Sequence, residues 1–266
     1  MKMNMREMMK SEEISLRAIG EFLSQYSVRL LGCGATCVRL EKNVRRMADA
    51  LGVTAEITIM PRHINLTVSK SGDAVPFTIS ATVMHPSISF FLNTRLSRLS
   101  WELADGKIDF DTARKRMMEI VASDTQNKWM VLFLASFANA AFCRLFGGDC
   151  TAMAIVFMAT LAGYFVKLVL LECKVDLRVV FMVCAFVSSV LGATDSLFSL
   201  GGTPEVAIST SVLYLVPGIP FLNSFSDMLY RHYICAFSRF VDAMVLTCCL
   251  SAGLCGGVAL MNISIL

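Results

Sequence analysis

The stretch that decides the fold runs from Cys150 to Leu171 and reads CTAMAIVFMATLAGYFVKLVLL, with Lys167 as its single charged residue. The hydrocarbon core of a bilayer is about 30 Å thick, and an α-helix needs about 20 predominantly apolar residues to cross it. An apolar run of this length exceeds what a water-soluble domain normally buries in one helix. It therefore predicts a membrane-spanning helix.

Apolar runs on either side of this stretch predict four further spans. The C-terminal part of the chain is therefore expected to be an all-α polytopic membrane bundle of about five transmembrane helices. The five helices are expected near residues 129–146, 150–171, 179–200, 206–221 and 240–260, with a polar link over 223–239.

Charge divides the chain into two parts. Residues 1–126 hold 17 of the 24 Lys and Arg and 14 of the 21 Asp and Glu. We therefore expect a water-soluble domain over 1–126 and a transmembrane domain over 127–266. The net charge is only +3, and no basic stripe with interleaved aromatic residues occurs, so the composition does not indicate nucleic-acid binding.

Periodicity in the polar part predicts an α+β domain. Alternating apolar and polar residues over 55–60, 63–69 and 75–82 predict three strands of a meander, with turn residues between them. Apolar residues at helical spacing predict helices over 12–31, 35–51, 88–103 and 110–123. Helices flanking an antiparallel sheet are typical of α+β domains.

The sequence from Ser209 to Pro220 reads STSVLYLVPGIP, and its two prolines around Gly218 interrupt the helical hydrogen-bond ladder. Transporters use such broken helices to bind substrates and ions at bilayer depth. The alternative left open is a helix that simply ends at Pro217. The residues expected to line a substrate or ion pathway are Ser209, Ser211, Pro217, Gly218, Pro220, Asn223, Asp227 and Asp242.

Other polar or small residues within the apolar runs support weaker expectations. Lys167 either extends to the membrane interface or faces the bundle interior. Asn139 is expected to form a hydrogen bond between helices. The GxxxG spacing of Gly253 and Gly257 permits two helices to approach closely, within this chain or with another chain.

Enzymatic interpretations find little support in the residues. The chain has three histidines and lacks the GxSxG, HExxH, Walker A and GxGxxG spacings. Ten cysteines are present, and the CxxxC of Cys33 and Cys37 is not accompanied by further ligands at metal-binding spacing. We expect no catalytic site, no cofactor and no metal.

Several segments resemble the threonine/serine exporter (ThrE) family. The sequence LGCGATCVRLE at Leu31–Glu41 is similar to the family signature GA-x-x-x-R-x-E, and LVPGIPFLNSFSDM at Leu215–Met228 is similar to its run LVPG-x-P-x-x-N-x-x-x-D. Asn93–Arg98 and Phe146–Asp149 also look like family segments, and the similarity covers essentially the whole chain. In one departure, Arg231 stands where the family often has glycine, which puts a tight turn there in doubt.

The resemblance implies a function and a partner. Full-length members look like a soluble domain followed by two membrane halves, whereas this sequence carries one half. It thus resembles the split, YjjP-type inner membrane subunit, which works with a separate small membrane subunit of the YjjB type. The implied function is secondary export of small polar metabolites, namely threonine and serine, or dicarboxylates such as succinate. A membrane-anchored metabolite sensor or scaffold without transport activity is the alternative.

The distribution of basic residues predicts the orientation in a bacterial inner membrane. With a cytoplasmic N-terminal domain and five spans, the C-terminus lies outside. Basic residues then concentrate on the cytoplasmic side, as the positive-inside rule expects. They are Lys128, Lys167, Lys174, Arg178, Arg231 and Arg239, whereas Arg144, Asp149, Asp195 and Glu205 lie on the outer side. The expected partners are the second subunit, the lipid bilayer, a small-molecule substrate, and further copies in a homo- or hetero-oligomer.

Overall fold

The computed structural model describes residues 15–71, 75–84, 88–123, 127–198 and 201–262. These residues form two compact units. The first comprises the described residues of Met1–Thr125 together with Leu222–Arg239, and the second those of Gln126–Phe221 together with Phe240–Leu266. The division expected from charge, at residues 126 and 127, remains a prediction.

Among the described residues, the first unit contains four complete helices, a three-stranded sheet and the helical parts of Leu222–Arg239. The strands pair antiparallel in the order β1-β2-β3, which confirms the predicted meander. The elements in chain order are α1 (Leu16–Gly32), α2 (Cys37–Ala50), β1 (Thr54–Ile59), β2 (His63–Ser69), β3 (Phe77–Thr82), α3 (Phe90–Ala104) and α4 (Phe110–Ala122).

The core of this unit lies between α1 and one face of the sheet. In the central strand β2, Ile64, Leu66 and Val68 are fully buried while the intervening side chains are more exposed, as a period of two requires. They belong to the same core as Leu23 and Tyr26 of α1. Burying alternate residues on one face fixes the register of the strands.

The second unit is helical. Its elements are α5 (Lys128–Leu145), α6 (Cys150–Glu172), α7 (Leu177–Gly192), α8 (Thr194–Phe198), α9 (Pro204–Ser211), a 3₁₀ turn (Leu213–Leu215), the first residues of α10 (Gly218–Leu229) and most of α11 (Tyr233–Leu260). In the described part of the chain, four helices are long and apolar enough to cross a membrane, or five spans if the bent pair Pro204–Leu215 and Gly218–Leu229 counts as one. The expected membrane bundle of about five helices agrees with this range.

The segment 223–239, expected to be a polar link, is helical instead. Helix α10 begins at Gly218, directly after Pro217. Pro220 lies in the first turn of this helix, where a backbone N–H group has no partner within the helix and its absence costs nothing. Helix α11 begins at Tyr233 rather than near residue 240. The candidate span Leu177–Phe198 consists of α7 and α8 together and covers the described part of the expected span 179–200.

The glycines of the GxxxG spacing pack against α7. A methyl group added at Gly253 would collide with the carbonyl of Met182, and one added at Gly257 would collide with the hydroxyl of Ser189. The two helices therefore approach more closely than a side chain at either position would allow. This confirms the expectation of close helix packing and places it within the chain.

The turn between α10 and α11 has a left-handed residue at Arg231, with φ +67°. The backbone N–H groups of Arg231 and His232 donate to the carbonyls of Met228 and Asp227, at 3.1 and 2.9 Å, and close the end of α10. This backbone conformation favours glycine because a Cβ atom crowds the following carbonyl. The tight turn thus persists with arginine, and the glycine often found in the family has a physical explanation.

Arg231→Gly is expected to stabilise the first unit by about 1 kcal/mol, because the left-handed conformation costs a non-glycine residue about 1–2 kcal/mol. Thermal unfolding of the purified chain in detergent measures this as a higher midpoint. The control is Arg178→Gly in the first turn of α7, where the backbone is helical and glycine should destabilise. An unchanged or lower midpoint for Arg231→Gly would contradict the prediction.

Candidate functional site

The interruption after α9 is closed largely by local hydrogen bonds. The N–H groups of Leu215, Val216 and Gly218 donate to the carbonyls of Val212, Leu213 and Val216, at 3.0, 3.1 and 2.8 Å. Val216 itself has an extended backbone, with φ −57° and ψ 124°. A methyl group added at Gly218 would meet no atom within 4 Å, so the space beside this residue is open.

A carbonyl near the end of α9 receives a side-chain donor from another helix. Asn139 of α5 donates through Nδ2 to the carbonyl of Thr210, at 2.9 Å, and to the hydroxyl of Thr160 on α6, at 2.6 Å. All three residues are buried. One amide thus joins α5, α6 and α9, as expected for a polar residue that links helices.

A second polar group lies between α6, α7 and the 3₁₀ turn. The hydroxyl oxygens of Ser188 and Tyr214 are 3.0 Å apart, and Ser188 also donates to the carbonyl of Ala159, at 3.3 Å. Gly163 lies against both hydroxyls, where any side chain would collide with them. The small residue at this position therefore makes room for the two hydroxyl groups.

Lys167 lies one turn further along α6 and points into the bundle. Its Nζ atom lies 5.3 Å from the ring centre of Tyr164 and 5.7 Å from that of Phe181 on α7. Among the described residues, no carboxylate forms an ion pair with it. This amine, held by aromatic faces, can take an anion as its partner.

The other expected pathway residues of the second unit differ in exposure. Ser209 is exposed and donates to the carbonyl of Glu205, at 2.8 Å, whereas Ser211 is buried and donates to that of Ile208, at 2.7 Å. Both hydroxyls therefore bond within their own helix. Pro217 is buried, Gly218 and Pro220 are half-buried, and Asp242 is exposed on α11.

Asn223 and Asp227 lie in the first unit, one helical turn apart on α10. Asn223 donates through Nδ2 to the carbonyl of Gly34, at 2.8 Å, and Asp227 Oδ1 accepts from the backbone N–H of Cys37, at 2.8 Å. Cys37 is the first residue of α2. A carboxylate at this position satisfies a free N–H group and complements the positive end of the helix dipole.

Arg239 completes this contact. Its Nη1 atom lies 2.9 Å from Oδ2 of Asp227, and its Nη2 donates to the carbonyl of Ala35, at 2.8 Å. Asp227 is fully buried. The two segments that resemble family signatures therefore meet: the Gly34-Ala35 turn accepts from Asn223 and Arg239, and the helix that follows donates to Asp227.

The thiol of Cys37 also belongs to this contact. The hydrogen bond with Cys235, burial, and the negative charge of Asp227 all raise the pKa of Cys37. The thiol therefore stays protonated at neutral pH, and Cys37 Sγ donates to Oδ2 of Asp227, at 3.4 Å. Among the described residues, no group of three or more His, Cys, Asp or Glu side chains could hold a metal ion.

Sequence reasoning identified Asn223 and Asp227 but not their partners. Cys37 lies 190 residues from Asp227 along the chain and Arg239 lies on the helix that follows α10, and no pattern in one sequence indicates such pairing. It also missed the Ser188–Tyr214 pair, for which the available signal was two hydroxyl side chains inside apolar runs.

Removing one member of the Asp227–Arg239 pair should destabilise the first unit strongly. Asp227→Asn leaves a buried guanidinium without its counter-ion, which costs about 3–5 kcal/mol. The double variant Asp227→Asn with Arg239→Met should recover part of that loss, because no charge is then left unpaired. Thermal unfolding in detergent measures both effects.

Asp242→Asn is the matched control, since it removes an exposed carboxylate from α11 and should change the unfolding midpoint little. Equal midpoints for Asp227→Asn and Asp242→Asn would show that the buried pair does not stabilise the unit.

Comparison with known proteins matches this chain to one family and to two curated relatives. The family model described as "Putative threonine/serine exporter" (ThrE) matches residues 21–261. The "Probable succinate transporter subunit YjjP" of Klebsiella aerogenes is 25% identical over 241 residues, covering 90% of this chain and 92% of the relative. The protein of the same name from Escherichia coli K12 is 26% identical over 233 residues, covering 87% and 90%. No solved structure matches.

The family model therefore covers both units, from α1 to the end of α11. It includes the two signature segments that meet at Asp227 and the polar interior around Asn139. This chain is a membrane protein of the ThrE family.

Proposed function

We propose that this chain is one subunit of a two-chain secondary exporter of small polar carboxylates. Threonine and serine, or dicarboxylates such as succinate, are the substrates that the family and relative names support. Both relatives are named as subunits, which supports a second chain. We assign that role to a separate small membrane protein of the YjjB type, which would supply the other half of the membrane pathway.

The observation that carries this proposal is the polar interior of an otherwise apolar helical unit. Polar groups in a hydrocarbon environment are costly unless they are paired or line a hydrated cavity, and in membrane proteins they mark substrate and ion routes. Here the amide of Asn139, the hydroxyls of Ser188 and Tyr214, and the amine of Lys167 all lie inside the bundle. A helical anchor can use Asn139 to link its helices, but it would not need the amine of Lys167, which has no carboxylate partner among the described residues.

The chemistry of these groups suits a carboxylate substrate. Lys167 supplies a positive charge without a carboxylate partner among the described residues, and Tyr214 can supply a hydroxyl donor by giving up its contact with Ser188. A carboxylate accepts charge-assisted hydrogen bonds from such groups, about twice as strong as neutral ones. We therefore assign Lys167 to the pathway, together with the open space beside Gly218.

The other residues expected to line the pathway have different roles in the proposal. Pro217 and Pro220 shape the interruption, and Ser209 and Ser211 precede it. Asp227 has two partners already, Cys37 and Arg239, so a role in ion movement would require it to exchange them. Asp242 is exposed and free to face a partner subunit or a pathway between subunits.

A metabolite sensor is the second candidate, and one feature favours it. The first unit has a surface cavity of about 320 Å³ between α3 and α4. Three arginines and two glutamates line it: Arg95, Arg98, Arg116, Glu102 and Glu119. Two of the arginines are already paired with Glu102, at 3.0 and 2.8 Å, which leaves less positive charge for an anionic ligand. We therefore prefer transport.

Efflux measurements test the proposal. Cells that express this chain with a YjjB-type partner should export labelled succinate, threonine or serine faster than cells that lack either chain. Lys167→Met should reduce the rate at least about tenfold, because losing one charged hydrogen bond costs about 1.5–3 kcal/mol. Lys167→Arg should retain part of the activity, since it keeps the charge.

The matched control is Lys128→Met, which removes an exposed lysine that pairs with Glu172 at 2.8 Å. It should export at nearly the normal rate at equal protein levels. Absence of export of all three metabolites with the partner present would favour the sensor.

We further propose that the first unit faces the cytoplasm and that the end of α11 faces outward. Lys174 and Arg178 between α6 and α7 support this orientation, because cytoplasmic loops carry an excess of basic residues.

Two native cysteines at opposite ends of α6 test the orientation, since both Cys150 and Cys173 are exposed. In single-cysteine variants, a membrane-impermeant maleimide added to intact spheroplasts should label Cys150 but not Cys173. Labelling Cys173 alone would reverse the assignment.

A further inference from the structure

Asp195 is a buried carboxylate that lacks a hydrogen-bond partner. It lies in α8 with 0% of its surface exposed, and neither of its oxygens has a hydrogen-bond partner among the described residues. An ionised carboxylate in such a place is costly unless a positive charge neutralises it. No lysine or arginine of the described chain forms an ion pair with it. A cation bound from solution would remove this cost.

A second carboxylate faces the same point. A methyl group added at Gly201 would lie 2.8 and 3.1 Å from the two oxygens of Asp149 and 3.1 Å from Oδ1 of Asp195. The absence of a side chain at Gly201 thus lets the two carboxylates converge. Because both carboxylates have an oxygen within 3.1 Å of this point, their nearest oxygens lie within about 6 Å of each other, and like charges at that range repel.

Asp149 is held in its ionised form. Its Oδ1 accepts from the N–H of Ala152, at 2.7 Å, and its Oδ2 accepts from the N–H of Gly202, at 2.6 Å. These two hydrogen bonds hold the pKa of Asp149 below its usual range. Asp149 therefore contributes a fixed negative charge, and a bound cation has to be shared between it and Asp195.

The neighbouring elements add little positive charge. Helices α6, α7 and α9 pack against α8. The ionisable side chains at this end of them are Cys150, beside Asp149 at the start of α6, and Glu205, which is exposed in the first turn of α9. Arg144 at the end of α5 donates to the carbonyl of Gly148, at 3.1 Å. The other ionisable groups of α6 and α7 lie in the middle or the opposite half of their helices.

We propose that Asp195 and Asp149 bind one small monovalent inorganic cation such as sodium. Two backbone N–H groups already stabilise the charge of Asp149, so the charge left to neutralise is that of Asp195, whereas a divalent ion such as Ca²⁺ takes about six to eight oxygen ligands. The assignment of this cation as the coupling ion of transport rests on the proposed function, whereas the binding of the cation to this chain is independent of that function.

Cation-dependent thermal stability of the purified full chain tests binding directly. At constant ionic strength, replacing choline by sodium at 100 times Kd should raise the unfolding midpoint by about 5 °C. A wild type that does not respond to sodium, or an Asp195→Asn variant that responds equally, would overturn the site.

Two further variants keep the test decisive if Asp195→Asn does not fold. Asp149→Asn should weaken the response while keeping the helix cap, because asparagine caps helices about as well as aspartate. Gly201→Ala should abolish the response by separating the carboxylates, whereas Gly202→Ala should not, since its added methyl would lie 3.7 Å from Asp149 Oδ2. Equal responses in the two alanine variants would contradict the geometry.

Asp176→Asn controls for loss of charge at a helix cap. Its carboxylate accepts from the N–H of Arg178 at the start of α7, at 2.9 Å, and its loss should leave the cation response unchanged. A response lost equally in this variant would overturn the assignment to Asp195.

Proteoliposomes that contain both chains separate binding from coupling. A sodium gradient should drive labelled succinate, threonine or serine in the wild type, and Asp195→Asn should lose the dependence on the gradient. Gradient-independent flux in the wild type would overturn the coupling role. Cation binding without flux would support the site and contradict the proposed function instead.

Discussion

A polar group inside an apolar helical unit has to find a partner, and the second unit is organised around that constraint. Helix α9 ends at Ser211, so the last carbonyls of the helix lack the usual donors four residues further on. Asn139 donates from a neighbouring helix to the carbonyl of Thr210, and the 3₁₀ turn satisfies the carbonyls of Val212 and Leu213, which follow α9. The interruption is therefore tolerated because surrounding groups satisfy it, and it creates a place where Tyr214 can turn its hydroxyl toward Ser188.

In the first unit, charged side chains are the partners of buried polar groups. The positive end of α2 receives the carboxylate of Asp227, and Arg239 neutralises the remaining charge while bonding to the α1–α2 turn. Asn223, Asp227 and Arg239 therefore tie a helical hairpin to the start of one helix. An unpaired buried charge costs more free energy than a paired one gains. The contact therefore favours one arrangement of these helices over slightly shifted ones, in which the charges would be unpaired.

Much of the fold could be predicted because its patterns are local. The alternation in β2 and the charge-bounded apolar run of α6 depend on neighbouring residues, and both elements lie close to where the sequence placed them. The segment 223–239 was misassigned because Asn223, Asp227 and Arg239 look like solvated loop residues. They lie on helices and contact the α1–α2 turn and the start of α2, about 190 residues from Asn223 and Asp227 along the chain, and one sequence does not indicate such partners.

The functional groups also divide into those that local sequence shows and those that depend on packing between helices. The proline-glycine interruption is visible in the sequence because its chemistry is in the backbone. Lys167 could be placed on α6, but whether it pointed outward or inward depended on Phe181 of another helix. Asp195 carried no local signal either, since its burial and its approach to Asp149 arise from the packing of α8 and the conformation around Gly201.

The contact of Gly253 and Gly257 with α7 has a consequence for assembly. Small-residue grooves are the usual surface through which membrane helices from different chains dimerise. In this molecule the groove is already occupied by α7 of the same chain, so a second subunit has to recognise bulkier surfaces. On α5, the outward side chains of Phe133, Phe137 and Phe142 are exposed by 49%, 63% and 51%. Association through such rings depends on matching shapes of large side chains rather than on close approach of two backbones.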